Sequence, residues 1–267
     1  MNLKTLCALL LFSSGSSIIH SAYAFEESPA LPERSSPGGQ GRQRALPEHF
    51  KAISAPAWAF GVGVTPDSSS ELIAASQVGQ IDMVKALLAG GALPNAADDL
   101  GQRPLLVAVA AGHAEIVRLL LQSGASPNVK GPQGRTPLGL ASAAGNPGIV
   151  RLLLRAGADV DARSDNRATA LHEAVRFDHP EIVRILIAAA PDSERYDREG
   201  LHPLALAAAQ GRLACLQALL DSGIAPDLPD RTGLTALYWA RRYNQDLAES
   251  LLIAQGASRE AWPIPER

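Results

Sequence analysis

The chain has 267 residues, 46% of them hydrophobic but only 4% aromatic, and a formal net charge of −3. So slight a charge leaves no bulk footprint for nucleic acid or an anionic membrane surface. Scarce rings beside abundant Ala and Leu favour helices over a sandwich or barrel.

The first two dozen residues predict a targeting segment. Lys4 supplies a positive start, "LCALLLF" a short apolar stretch, and "AYA" (Ala22 to Ala24) a small-x-small cleavage site. The stretch is too short for a permanent membrane helix, and the polar "SSGSS" that follows argues against an uncleaved anchor. Cleavage after Ala24 is therefore expected, giving a periplasmic or secreted chain without a membrane span. It would remove Cys7 and leave Cys215 alone, so no intrachain disulfide could form.

Residues 25–66 predict a disordered linker, since their Pro, Gly, Ser and charge bury too little apolar surface to offset backbone entropy. The patch "FKAISAPAWAFGVGV" interrupts it with Phe50, Trp58 and Phe60, either as a cover on the first repeat or as a short linear binding motif.

From residue 67 to 267 the chain falls into rows. Leu72, Leu105, Leu138, Leu171, Leu204 and Leu237 stand 33 residues apart. Gly91, Gly124, Gly157, Gly223 and Gly256 share the lattice, with Ala190 in the one vacant slot; Gly79, Gly112, Gly145 and Gly211 form another column, with Asp178 and Asn244 as substitutes. A fixed period of this size marks a solenoid. Each row predicts a turn at a loop glycine, a short helix opened by Thr-Pro or its relative, a second helix with a wide Ile-Val-Leu face, and a left-handed glycine cap. No single row can bury that face alone, so neighbours must stack. Ala190 fits a left-handed slot poorly, and a different path is expected over residues 188–195.

The stretches "GRTPLGLASAAGNPGIVRLLLRAGADVDA" (134–162), "GQRPLLVAVAAGHAEIVRLLLQSGASPN" (101–128) and "ATALHEAVRFDHPEIVRILI" (168–187) resemble the ankyrin repeat family. That resemblance implies an all-α solenoid of six helix-turn-helix repeats with short β-turn or hairpin loops. It implies too that the work is done by holding another protein on a concave face. The sequence departs from the family's Thr-Pro-Leu-His: its last column reads Ile73, Leu106, Gly139, His172, Ala205 and Tyr238. At the ends, Ser70-Glu71 replaces Thr-Pro, and Glu249 stands where other rows place Val or Leu, so the sixth row is expected to act as a C-terminal cap.

Catalytic chemistry is not expected, and no cofactor or metal site is predicted. His113, His172, His179 and His202 are fixed by lattice position, and "HEAVRFDH" lacks the second His that would put two imidazoles on one zinc. Cys215 shares its column with Met83, Ile116, Ile149 and Ile182 and is expected to pack as a small hydrophobe. Asp98, Asp197 and Asp230 fit turns that bond their own backbone.

Binding is the more informative reading. The two residues before the Gly79 column are mostly Ala, yet the fourth row places Arg176-Phe177 and the sixth Arg242-Tyr243, with Gln210 in the fifth. Arg and aromatics are frequent interface anchors. Tyr238 and Trp239 join the sixth-row cluster, or else pack against the terminal cap. The loop tips Asp99, Gln133, Arg135, Asp165, Asn166, Arg167, Arg198, Glu199 and Arg231 read as a solvated edge, and the resemblance makes such tips specificity positions. The expected function is a monomeric, exported bacterial scaffold that binds a partner protein, as adaptor or protector of a periplasmic enzyme. Two alternatives stay open: an immunity protein that neutralises a secreted toxin, and an enzyme that uses the repeats as a platform.

Overall fold

In the computed structural model the described residues are 68–258, with 190, 193 and 194 excepted. The expected signal segment, the linker with its Phe50, Trp58 and Phe60, and Ala190 lie outside them. Within them run twelve α-helices: α1 (Ser68–Val78), α2 (Ile81–Ala89), α3 (Pro104–Ala110), α4 (Ala114–Gln122), α5 (Pro137–Ala143), α6 (Pro147–Arg155), α7 (Ala170–Arg176), α8 (Pro180–Ala188), α9 (Pro203–Ala209), α10 (Leu213–Asp221), α11 (Ala236–Arg242) and α12 (Asp246–Ala254). The chain is thus the all-α solenoid that its lattice predicts. Among the described residues β structure amounts to one antiparallel bridge, Pro229 with Thr235.

Helices this short are marginal alone, so each is defined by its ends. Thr136 Oγ1 accepts from Gly139 N–H at 3.1 Å and Thr235 Oγ1 from Tyr238 N–H at 3.5 Å, holding the starts of α5 and α11. His202 stands in the same column and performs the same task, its Nδ1 accepting from Ala205 N–H at 3.2 Å. At α7 the cap is doubled: His172 Nδ1 accepts from Thr169 N–H at 3.2 Å and lies 2.9 Å from Thr169 Oγ1, while Nε2 reaches the Leu201 carbonyl of the next repeat at 3.1 Å. Past the second helices, Gly91, Gly124, Gly157, Gly223 and Gly256 all take positive φ. In the other glycine column Asp178 (φ 60°) and Asn244 (φ 54°) adopt the same left-handed turn, which short polar side chains tolerate best.

Three of the residues that start second helices tie one repeat to the last. His113 Nε2 lies 3.1 Å from the Gln77 carbonyl, His179 Nε2 3.2 Å from Ala143 and Arg212 Nη2 3.5 Å from Arg176, each contact reaching back 36 residues to an otherwise orphaned helix-end carbonyl. A Cβ on Gly145 would lie 2.5 Å from the His179 ring, whereas one on Gly157 would meet nothing within 4 Å. Both glycines carry positive φ. Gly145→Ala is therefore expected to cost about 2 kcal/mol or more, and Gly157→Ala only the backbone strain of about 1 kcal/mol. Urea unfolding of the two variants checks the difference.

A second ladder ties the opposite edge. Asn95 donates to the Gly124 carbonyl (2.9 Å) and accepts from Ser126 N–H (2.8 Å); Asn128 repeats this on Gly157 (3.1 Å) and Asp159 (2.7 Å). Asp161 and Asp227 continue it as acceptors only, from Asp192 and Ser258 N–H. Loop tips join as well: Asp165 N–H donates to Gln133 O, Arg198 N–H to Asn166 O and Arg231 N–H to Gly200 O, at 2.9–3.1 Å.

The core is continuous along the array. Leu72 and its five lattice mates are buried, as are Val84, Val117, Val150, Val183 and Leu216 on the second helices. Glu249, in that same column, is half-buried and accepts from Arg241 Nε at 2.8 Å. First helices approach one another unevenly. α5 with α7 and α9 with α11 lie closest, where Gly139 and Ala205 stand in the gap; α3 with α5 and α7 with α9 stand farther apart, where Leu106 and His172 intervene. At every junction but that of the fourth and fifth repeats, first helices are more closely apposed than second helices, which makes the first helices the inner face of the stack.

Candidate partner-binding face

The residue at the end of each first helix precedes the left-handed turn, and its side chain stands clear of the stack. In that column Val78, Ala111, Ala144, Phe177, Gln210 and Tyr243 are all exposed. Phe177 is 49% and Tyr243 54% accessible, large rings on a face where alanine is otherwise common.

The arginines beside these rings differ. Arg176 is turned inward, its guanidinium 3.2 Å from Glu173 and 3.5 Å from Asp197, which is only 2% exposed. Asp197 Oδ1 accepts from Glu199 and Leu201 N–H, so Arg176 steadies the loop before α9. Burial pushes the Glu173 carboxyl up, against the pull of Arg176 and Arg135. Arg242, by contrast, is exposed.

The sixth-repeat aromatics form one cluster. Trp239 stacks on Tyr243 (6.0 Å between centroids, 16° between planes) and meets Tyr238 edge-on at 5.2 Å. Trp239 also packs on the core and donates from Nε1 to Asp230 Oδ2 at 2.7 Å. Burial would raise the Asp230 carboxyl, but bonds from the Thr232 hydroxyl, Leu234 N–H and Trp239 outweigh it and hold the group below the usual carboxylate range. Trp239 is thus a half-buried wall that presents Tyr243.

Between α5 and α7 lies a cavity of about 130 Å³, lined by Arg135, Thr136, Gly139, Ser164, Asn166, Glu173 and Phe177 among others. Two lattice substitutions accompany it. Gly139 stands where neighbouring repeats carry Leu106 and His172, and Ser164 where others carry Asp98, Asp197 and Asp230. Asn166 and Phe177, read separately in the sequence, line this same cavity. Gly139 and Glu173 carry no binding signal in the sequence; Glu173 stands out only as the acid in a column otherwise reading Ala74, Val107, Leu140, Leu206 and Trp239.

The tip residues Asp165, Asn166, Arg167, Arg198, Glu199 and Arg231 are all exposed. Arg167 has φ 59° at a position where Gly101, Gly134, Gly200 and Gly233 stand in other repeats. Asp98 and Asp230, like Asp197, bond the backbone of their own turns.

Burial holds the His172 imidazole down at about 4, keeping it neutral between Thr169 and Leu201. Burial, then the Asp178 carboxylate 3.4 Å from Sγ, pushes the Cys215 thiol up to about 12, so no thiolate is present near neutral pH. Among the described residues no group of three or more His, Cys, Asp or Glu is placed to hold a metal ion, and no helix is long and apolar enough to cross a membrane.

No curated protein matches the chain. The family model for ankyrin repeats matches it in three overlapping copies, over residues 72–164, 126–197 and 171–260. Ankyrin repeats generally mediate protein–protein interaction, typically as non-enzymatic scaffolds. The match runs through nearly all of the described helices, and with their stacking it shows that this chain belongs to the ankyrin repeat family.

Proposed function

We propose that the chain is an exported scaffold that holds a partner protein against the inner face of its repeats, as adaptor or protector of a periplasmic enzyme. The supporting observation is the exposure of Phe177 and Tyr243, 49% and 54%, on a face set with alanines. Rings held on short, well-packed helices lose little freedom on docking and make efficient anchors. The leader-like first 24 residues support export.

The test uses the chain from Phe25 onward as bait in periplasmic extract, wild type beside Phe177→Ala/Tyr243→Ala. Truncating two anchor rings is expected to lower partner recovery by roughly tenfold or more, with an unchanged melting temperature because both side chains are half exposed. Equal recovery would sink the inner-face assignment. Recovery of the natural chain from the cell with Met1 still in place would sink export.

A further inference from the structure

Most arginines on or at the start of the described helices are ion-paired within the chain. Arg118 pairs with Glu115, Arg151 with Glu181, Arg176 with Glu173 and Asp197, Arg212 with Asp178, and Arg241 with Glu249. The loop tips are different. Arg135, Arg167, Arg198 and Arg231 are exposed, and among the described residues none has a carboxylate within ion-pair distance. They fall one to a repeat, on the third, fourth, fifth and sixth consecutively. The backbone bonds Asp165 to Gln133, Arg198 to Asn166 and Arg231 to Gly200 fix these tips to one another, so the four cations share one continuous edge. Asp165 and Glu199 are exposed on the same tips, so four arginines face two acids and the edge is net positive on a chain that as a whole is acidic.

Two further features single the edge out. Arg167 occupies left-handed backbone that glycine would adopt without strain and that other repeats give to glycine. Strain retained at one residue against an easy local remedy is a mark of function. Arg135 also stands at the cavity between α5 and α7, beside the Thr136 and Ser164 hydroxyls, the Asn166 amide and the Phe177 ring. The carboxylate of that cavity, Glu173, faces Arg176 at 3.2 Å and feels Arg135 as well, but no carboxylate of the described residues stands within ion-pair distance of Arg135 itself. A carboxylate would find a guanidinium and neutral donors there, and its methylene stem would find a ring.

We propose that the tip edge of the third to sixth repeats takes an extended acidic segment of the partner protein, with one glutamate seated at the cavity mouth against Arg135. This rests on the scaffold reading above and names the chemistry of the partner.

The test titrates the chain from Phe25 onward into three labelled peptides of equal length, rich in Glu, Gln or Lys, and follows anisotropy at low and high salt. The Glu peptide is expected to bind at least about tenfold more tightly than the Gln peptide, the Lys peptide not at all, and salt to weaken the binding. Arg135→Gln/Arg198→Gln/Arg231→Gln should lower affinity about tenfold, at a few-fold per exposed pair. Arg167→Gly should lower it two- to threefold while raising the melting temperature, an opposition that mere structural damage would not produce. Equal binding of Glu and Gln peptides, or unchanged affinity in the triple variant, overturns the proposal. Should a variant fail to fold, the three peptides against the wild-type chain still decide. If tip variants leave partner capture intact while Phe177→Ala/Tyr243→Ala abolishes it, the acidic segment is refuted and the scaffold stands.

Discussion

Acidification from pH 7 to about pH 4 is expected to remove on the order of 3 kcal/mol of stability through His172 alone. In the unfolded chain the imidazole titrates near 6.5; in the array burial holds it at about 4, and the bond to the Leu201 carbonyl and the nearby Asp197 only partly offset that burial. A group whose folded pKa is depressed binds protons more readily when unfolded. Its contribution is therefore whole above about pH 6.5, declines as the pH falls, and is exhausted near pH 4. Two carboxyls also act, in opposite senses, Glu173 within the histidine's window and Asp230 below it. Glu173, pushed up by burial, is relieved by protonation, whereas Asp230, held down by its bonds, loses stability. Urea unfolding at several pH values, wild type against His172→Gln, isolates the histidine. The variant should be weaker at pH 7, having lost part of the Thr169 and Leu201 contacts, yet flatter between pH 6.5 and 5. Parallel curves for the two proteins would refute a buried neutral imidazole.

Leu153→Ala is expected to cost about 3–4 kcal/mol, the range for a fully buried leucine whose surroundings cannot collapse. Leu153 lies on α6 with repeats on both sides, so the void weakens two interfaces at once. The same deletion at Leu87, which is 7% exposed on the first helix pair, should cost about 2 kcal/mol, because that site is already partly open. Denaturant titrations compare the two. Equal losses would mean that the edge repeat is packed as firmly as the middle.

The period made most of the architecture readable before any coordinates. Leu72 and its mates, the glycine columns and the Thr-type caps each repeat a local instruction, and a local instruction survives in sequence. Family membership followed from the same residues. What escaped depends on partners one or more loops away. Arg176 looks in sequence like a free cation beside a ring, but its partner Asp197 lies 21 positions on, in the loop before α9. Trp239 owes its place to Asp230, nine positions back in the preceding turn. The cavity needs two coincident absences, at Gly139 and Ser164, in different repeats, and a missing side chain leaves no motif. The rungs at Asn95, Asn128, Asp161 and Asp227 do recur on the lattice, yet polar loop residues pass for solvated surface until their 31-residue reach is seen.

The unequal approach of the first helices bears on how a ligand finds its place. A regular array offers an elongated guest several near-equivalent berths, each displaced by one module, and a guest so received could slip along it. Here the wall is uneven, its first helices closer together beside Gly139 and Ala205 and farther apart beside Leu106 and His172. A guest shaped to the close junction at Phe177 would meet a wider one if it moved one module either way, so the uneven scaffold itself opposes a slip of one module.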